Sequence, residues 1–200
     1  MLVIGLTGPS GAGKGEVARH FAAHGLPVIN ADEIYHDLLI PPSPCLDALV
    51  KHFGQQILQA DGTLNRAALS AAVFSDREKL EALNHIAHRF VMETVRRDLE
   101  AYREQGVLAA VLDAPQLFEA GAEAECSIVV AVLAERALRI RRIIQRDGLD
   151  EASAVRRIDA QKSDLFFRQH ADYVIENNGG TESLQIAVDR ILREMGVCPA

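Results

Sequence analysis

The segment Gly8-Pro9-Ser10-Gly11-Ala12-Gly13-Lys14 constrains this chain more than any other. It fits G-x-x-x-x-G-K and lies between two recognisable elements. Before it, Leu2 to Leu6 is a short apolar run of the kind that forms a strand buried on both faces. After it, Val17, Ala18, Phe21 and Ala22 fall on one face of a helix over Lys14 to His24, closed by Gly25. Strand, glycine-rich turn and helix in that order favour a phosphate-binding loop over a ligand-free turn. The glycines let backbone N–H groups turn inward around phosphate oxygens, and the helix N-terminus adds its dipole. Gly8, Gly11, Ala12, Gly13, Lys14, Gly15 and Glu16 are the candidate nucleotide contacts, with Lys14 reaching the β- and γ-phosphates.

The rest of the chain reads as alternating short apolar strands and helices. Strands are predicted at Leu26–Ile29, Val107–Leu112, Ser127–Leu133 and Tyr173–Ile175. Helices are predicted at Glu135–Arg146, Glu151–Gln161 and Glu182–Met195, the last with Leu184, Val188, Ile191 and Leu192 inward. That alternation implies an α/β fold with a parallel sheet covered on both faces. Residues 31–106 break the rhythm. They read as mostly helical, interrupted at Pro41-Pro42, Gly54 and Asp61-Gly62, with a long helix over Asp76–Glu104.

Charge narrows the partners. The chain carries 21 Lys+Arg against 28 Asp+Glu, a formal charge of −7, which argues against a protein dedicated to nucleic-acid backbones. The cations are not spread evenly. Residues 136–168 hold nine of them against five acids, so a segment of +4 sits within a remainder of −11. Arg139, Arg142 and Arg146 share one helical stripe there, suited to gripping phosphate oxygens, although a solvated face with ion pairs to Asp147 and Glu151 is the plainer alternative. Arg136 and Arg141 read as ordinary surface. Cys45, Cys126 and Cys198 are far apart and form no CxxC pair. No basic leader and no apolar run of membrane length is present, so a cytoplasmic location is expected.

Further segments point to one family. They are Asn30-Ala31-Asp32, Asp61-Gly62-Thr63-Leu64-Asn65-Arg66, Val73-Phe74, Leu83-Asn84-His85-Ile86-Ala87-His88 and Asp113-Ala114-Pro115-Gln116-Leu117-Phe118-Glu119. Arg142, Gln145-Arg146-Asp147, Arg157-Ile158, Gln161 and Ala171-Asp172-Tyr173-Val174-Ile175-Glu176-Asn177-Asn178-Gly179 follow. In this order and spacing, over about residues 1–192, the chain resembles the dephospho-coenzyme A kinases. The resemblance implies a P-loop core, a helical acceptor-binding insertion and a helical lid. In this chain these correspond to 1–30 with 107–135 and 170–200, to 31–106, and to 136–169. It implies ATP with Mg²⁺ as donor and dephospho-CoA as acceptor, phosphorylated at its ribose 3′-hydroxyl. It does not imply an oligomeric state. A nucleoside monophosphate kinase, and a nucleotide binder that has lost catalysis, are the two competing readings; the run GAGKG also resembles the loop of adenylate kinases.

The resemblance carries roles to particular residues. Lys14, Asp32 and Arg142 are implied as catalytic, with Asp32 as the base for the acceptor hydroxyl; the other reading of Asp32 is an N-cap of the helix that follows. Arg142, Arg146 and Asn177 join the ATP contacts, Asn177 beside the adenine, unless Asn-Asn-Gly-Gly is only a turn. Asp32, His88, Pro115, Phe118 and Glu119 are implied at the acceptor, with packing the alternative for His88 and Phe118. Asp113 ends a strand, where it either holds metal-bound water or caps the next loop. The chain departs from the family pattern at Gly15, Glu16, Asn30, Arg89 and Gln116. Gly15 removes the usual hydroxyl ligand of Mg²⁺, and Glu16 would oppose the phosphates if it faced them.

Overall fold

The computed structural model describes residues 1–73 and 76–197; Phe74 and Cys198, both singled out in the sequence, lie outside the described residues. The chain divides into two compact units, Met1–Ile29 with Leu99–Ala200, and Asn30–Asp98.

In the first unit the strands are β1 Leu2–Thr7, β2 Val28–Asn30, β3 Ala109–Asp113, β4 Ile128–Leu133 and β5 Tyr173–Glu176, in the order β2-β3-β1-β4-β5. The β1–β3, β1–β4 and β4–β5 pairings are parallel. Val130 and Val132 pack with Ile4, Leu6, Val17 and Phe21 on one face, whereas Ala131 and Leu133 pack with Phe167 on the other. A strand alternates its side chains between faces, so burial on both sides explains why β4 reads as an unbroken apolar run. Helices α1 Lys14–Ala23 and α9 Thr181–Glu194 cover the first face, and Leu184, Val188, Ile191 and Leu192 of α9 all point into it.

Predicted boundaries shift by one or two residues. Leu108, inside the predicted strand Val107–Leu112, is exposed, and the strand instead runs on to Asp113. Leu26 is buried although β2 begins only at Val28. The segment 136–169 forms α6 Arg136–Asp147, α7 Glu151–Asp159 and α8 Asp164–His170 within the first unit. Ile143, Ala154 and Ile158 close a small core between α6 and α7. Asp150 and Ser163 cap α7 and α8 by accepting from Ser153 N at 2.7 Å and Phe166 N at 3.2 Å.

The second unit contains α2 Ala31–Asp37, α3 Pro44–Phe53, a short 3₁₀ turn Gln55–Ile57, α4 Arg66–Val73 and most of α5 Arg77–Glu104. Leu39, Cys45, Leu49, Phe53, Ile57, Leu69 and Val73 form its core, with Leu83, Ile86 and Phe90 of α5 against them. The predicted breaks have physical causes. Asp61 accepts from Thr63 N at 3.0 Å, making an Asx turn that Gly62 completes, and Leu58 bridges Leu64 across it. Asp76 stands just outside the long helix and caps it by accepting from Lys79 N at 3.1 Å.

Candidate active site

The site begins at the C-terminal ends of β1 and β3. Their register sets Leu6 beside Asp113, so the loop after Thr7 starts next to that carboxylate. In an open α/β sheet the strand ends beside a change of chain direction are where ligands bind. β1 is such a strand, because β2 and β3 lie to one side of it and β4 and β5 to the other.

The loop between β1 and α1 can be followed residue by residue. A Cβ on Gly8 would collide with the Val132 carbonyl of β4, and one on Gly13, at φ 92°, with the Asn177 amide. Glycine at both positions is therefore a steric requirement. Ser10 N donates to Gln161 Oε1 at 3.0 Å, and Ala12 N to Pro9 O at 3.1 Å. The amides of Gly13, Lys14 and Gly15 open α1 and have no protein acceptor among the described residues. They form the anion-binding end of a helix.

Lys14 Nζ donates to Asp113 Oδ1 in a close ion pair, with 16% and 7% of the two side chains exposed. An ammonium has three donors, so this contact leaves others for phosphate oxygens. Thr7 Oγ1 donates to Pro115 O at 3.3 Å and ties the loop after β3 to the end of β1.

Glu16 pairs with Arg19 on its own helix, so the guanidinium matches its charge, and His20 Nε2 lies 3.7 Å away. Gly15 has open space around its Cβ position and an ordinary backbone, so nothing steric demands glycine there.

The arginine stripe of α6 separates into three roles. Arg139, which the sequence places in the stripe but not in the site, is 4% exposed. It donates to Ser10 O at 3.0 Å, to Asp164 at 3.1 Å and to Gln161 at 3.3 Å, fixing the loop to α6 and α8. Burial pushes its guanidinium below the ordinary arginine range, and the Asp164 carboxylate acts against that shift.

Arg142 is implied by the resemblance as catalytic and as an ATP contact. The structure sets its guanidinium against the carbonyls of Gly11 (3.2 Å), Ala12 (3.4 Å) and Asn177 (3.1 Å). A guanidinium is a pure donor, and here loop carbonyls satisfy it. Arg146 reaches Ser10 Oγ at 3.5 Å but is held mainly by Asp147, at 2.7 and 3.0 Å. Arg157 binds the same carboxylate, and with Arg146 holds the Asp147 carboxyl down at about 2.

Asn177 is 4% exposed, and its side-chain amide donates to Ala12 O at 2.7 Å while its own N–H donates to Leu133 O at 2.7 Å. It therefore braces the loop from β5, a role beyond that of a turn residue. Beside it lies a cavity of about 340 Å³, bordered by Gly13, Arg142, Asn177, Gly179, Gly180 and Thr181, with Glu16 and Arg19 at its edge.

The remaining candidates fall in two places. Pro115 is half-buried and Glu119 exposed in the turns after β3. Phe118 belongs to an aromatic cluster, edge-on to Phe166 at 5.3 Å and to His170 at 5.8 Å. Asp32 and His88 belong to the second unit. Asn30, not Asp32, is the N-cap of α2: its Oδ1 accepts from Asp32 N at 3.0 Å and Glu33 N at 3.3 Å, and its amide donates to Glu33 at 3.0 Å. This cap corrects the N-cap reading of Asp32 and leaves its carboxylate exposed, without a hydrogen bond or ion pair among the described residues. His88 is half-buried on α5, and the neighbouring Arg89 lies 4.4 Å over the Phe90 ring.

The sequence profile of the family described as Dephospho-CoA kinase matches residues 2–183. A dephospho-CoA kinase of Corynebacterium efficiens is 43% identical over 196 residues, 98% of either chain. One of Shouchella clausii is 38% identical over 180 residues, 90% of this chain and 91% of its own. Among solved structures, TT1252 from Thermus thermophilus is similar at a TM-score of 0.83 and 31% identity, covering 97% of each chain. A shikimate kinase of Bacteroides thetaiotaomicron shares the fold at a TM-score of 0.56 and 14% identity, covering 98% of each chain. The chain belongs to the dephospho-CoA kinase family.

Proposed function

We propose that this protein transfers the γ-phosphoryl group of ATP to the ribose 3′-hydroxyl of dephospho-CoA, giving CoA, in the cytoplasm. The observation that carries the reading is the Lys14–Asp113 pair at the foot of a helix whose first amides are unspent, in a chain of this family.

Phosphoryl transfer is catalysed mainly by positioning and by neutralising charge on the moving group. The amides of Gly13, Lys14 and Gly15 cradle the β-phosphate, and Lys14 bridges toward the γ-phosphate. Arg139 and Asn177 hold the loop in place from behind. The adenosine occupies the cavity of about 340 Å³, where Arg142 flanks the base and Asn177 closes the floor. Arg146 approaches the phosphates from the lid by exchanging one of its bonds to Asp147.

Gly15 offers no hydroxyl to Mg²⁺, and no group of three or more His, Cys, Asp or Glu among the described residues forms a metal cage. Mg²⁺ on nucleotide enzymes needs only one or two carboxylates, with phosphates and water as its other ligands, so the Asp113 carboxylate fits it. Held by Asp113, Mg²⁺ would supply neutralisation of phosphate charge. Asp32 receives the ribose hydroxyl and accepts its proton; capping by Asn30 keeps that carboxylate uncommitted. Pro115, Phe118 and Glu119 wall the acceptor, with His88 on the second unit.

The test is ATP consumption with dephospho-CoA or nucleoside monophosphates as acceptor, with and without Mg²⁺. Turnover on dephospho-CoA alone is expected. Turnover on monophosphates alone, or ATP binding without turnover, would refute the assignment. Asp32→Asn should lower kcat by about 10²–10⁴, the range of a general base, while ATP affinity stays within a few-fold.

A further inference from the structure

The proposed acceptor carries a diphosphate on its 5′-carbon as well as the 3′-hydroxyl that reacts, and the reading so far gives that diphosphate no partner. The second unit supplies one. Asp32 and His36 are four residues apart on α2 and therefore share a face, just over one helical turn or about 6 Å along it. His36 Nδ1 lies 2.7 Å from Arg66 Nη2. Arginine is always protonated and only donates, so His36 Nδ1 is the acceptor and the imidazole carries its hydrogen on Nε2.

Arg66 is exposed and has no carboxylate partner among the described residues, whereas the exposed Arg19, Arg77, Arg97, Arg103 and Arg136 all form ion pairs. It is also the first residue of α4, where the helix dipole disfavours a cation. Its positive charge is felt at the half-buried Tyr35 hydroxyl, where it opposes the rise that burial causes. A guanidinium held by an imidazole rather than a carboxylate keeps its charge and free N–H groups for an anion.

We propose that Arg66, with the Nε2–H of His36 beside it, binds the diphosphate of dephospho-CoA. The distance from a ribose 3′-oxygen to its 5′-phosphorus is roughly 6 Å by ordinary bond lengths. That matches this separation along α2, so a ribose whose 3′-hydroxyl sits at Asp32 places its diphosphate at His36 and Arg66. The inference rests on the reading that Asp32 receives the hydroxyl.

The test is steady-state kinetics of Arg66→Met and Arg66→Lys at saturating ATP over a range of salt. A charge-assisted phosphate contact corresponds to about tenfold to a hundredfold in affinity. Arg66→Met should raise KM for dephospho-CoA by that factor, with a much smaller change in kcat, and should flatten the rise of KM with salt. Arg66→Lys should recover part of the loss, and it carries the same test if thermal melting shows Arg66→Met unfolded. A KM within twofold of the parent, an unchanged salt slope, or a loss confined to kcat would overturn the subsite. An unmutated protein inactive on dephospho-CoA would refute the kinase reading itself, a distinguishable result.

Discussion

The Lys14–Asp113 pair allows a quantitative test of how the loop is held. The two side chains keep only 16% and 7% of their surface exposed, so each charge has lost most of its water and gains from the other. Removing one partner of a well-buried pair costs about 3–5 kcal/mol. Asp113→Asn should cost less, about 2–3 kcal/mol, because the amide oxygen still accepts from Nζ and Lys14 retains some water. For a chain of this length each kcal/mol moves Tm by about 2–4 °C, so the expected fall is about 4–12 °C by calorimetry or circular dichroism. Lys14→Met should destabilise too, by taking the cation away from a carboxylate that is 7% exposed. The double variant removes both charges together and should be more stable than the sum of the singles predicts, by about 1–2 kcal/mol. Additivity within about 0.5 kcal/mol would refute the view that the pair is an interdependent buried unit. The same variants separate stability from function: saturating ATP with Mg²⁺ should raise Tm by several degrees in the parent and far less in Lys14→Met.

Three further predictions follow from the loop and the lid. Gly13→Ala should cost at least 1–3 kcal/mol and weaken ATP binding, since the new methyl would collide with the Asn177 amide at a positive φ; unchanged calorimetric ATP affinity would count against that brace. Gly15→Ser should stabilise the start of α1 by about 0.5 kcal/mol and lower the Mg²⁺ concentration needed for half-maximal turnover, because the position is open and the hydroxyl would stand where phosphate-bound metal is expected; an unchanged Mg²⁺ requirement would place the metal elsewhere. Asp147 should titrate near 2 by carboxyl NMR, chiefly through its hydrogen bond from Arg146. A depressed folded value contributes stability above the unfolded value near 3.9, lost as pH falls through about 2, so α6–α7 should loosen over that window; a midpoint near 4 would show the clamp absent in solution.

What could be read without coordinates divides along a physical line. The strand–loop–helix unit was legible because its requirements are local: apolar residues before the turn, glycine where backbone crowds backbone, one amphipathic face after it. The edges of β2 and β3 were less so. Leu26 is buried just outside its strand and Leu108 is exposed within the apolar run, and apolar character alone does not distinguish these cases. Arg139 and Arg142 illustrate the larger gap. Helical spacing put both on one stripe with Arg146, but which of them meets carbonyls and which meets solvent depends on how α6 lies against the loop. Asn177 reads from sequence as an adenine contact or a turn residue. Its N–H bond to Leu133 fixes it against β4, and its amide meets Ala12 O, contacts that depend on chain segments far away in sequence.

The departures from the family pattern also look different once placed. Asn30 replaces an acid and removes a negative charge, yet it caps α2 through its oxygen and binds Glu33 through its amide. An aspartate there could keep the first contact but not donate the second, so the change secures the helix that carries Asp32. Glu16 adds a charge near the loop, and Arg19, one turn along the same helix, pairs with it. Neither change touches Lys14 or Asp113, and both leave the start of α1 or α2 held by local bonds. That pattern is the one expected if the chemistry depends on two helix starts, one presenting amides and one presenting a carboxylate. Asn30 and Glu16 both stand at these starts, and each is tied to its own helix by local bonds.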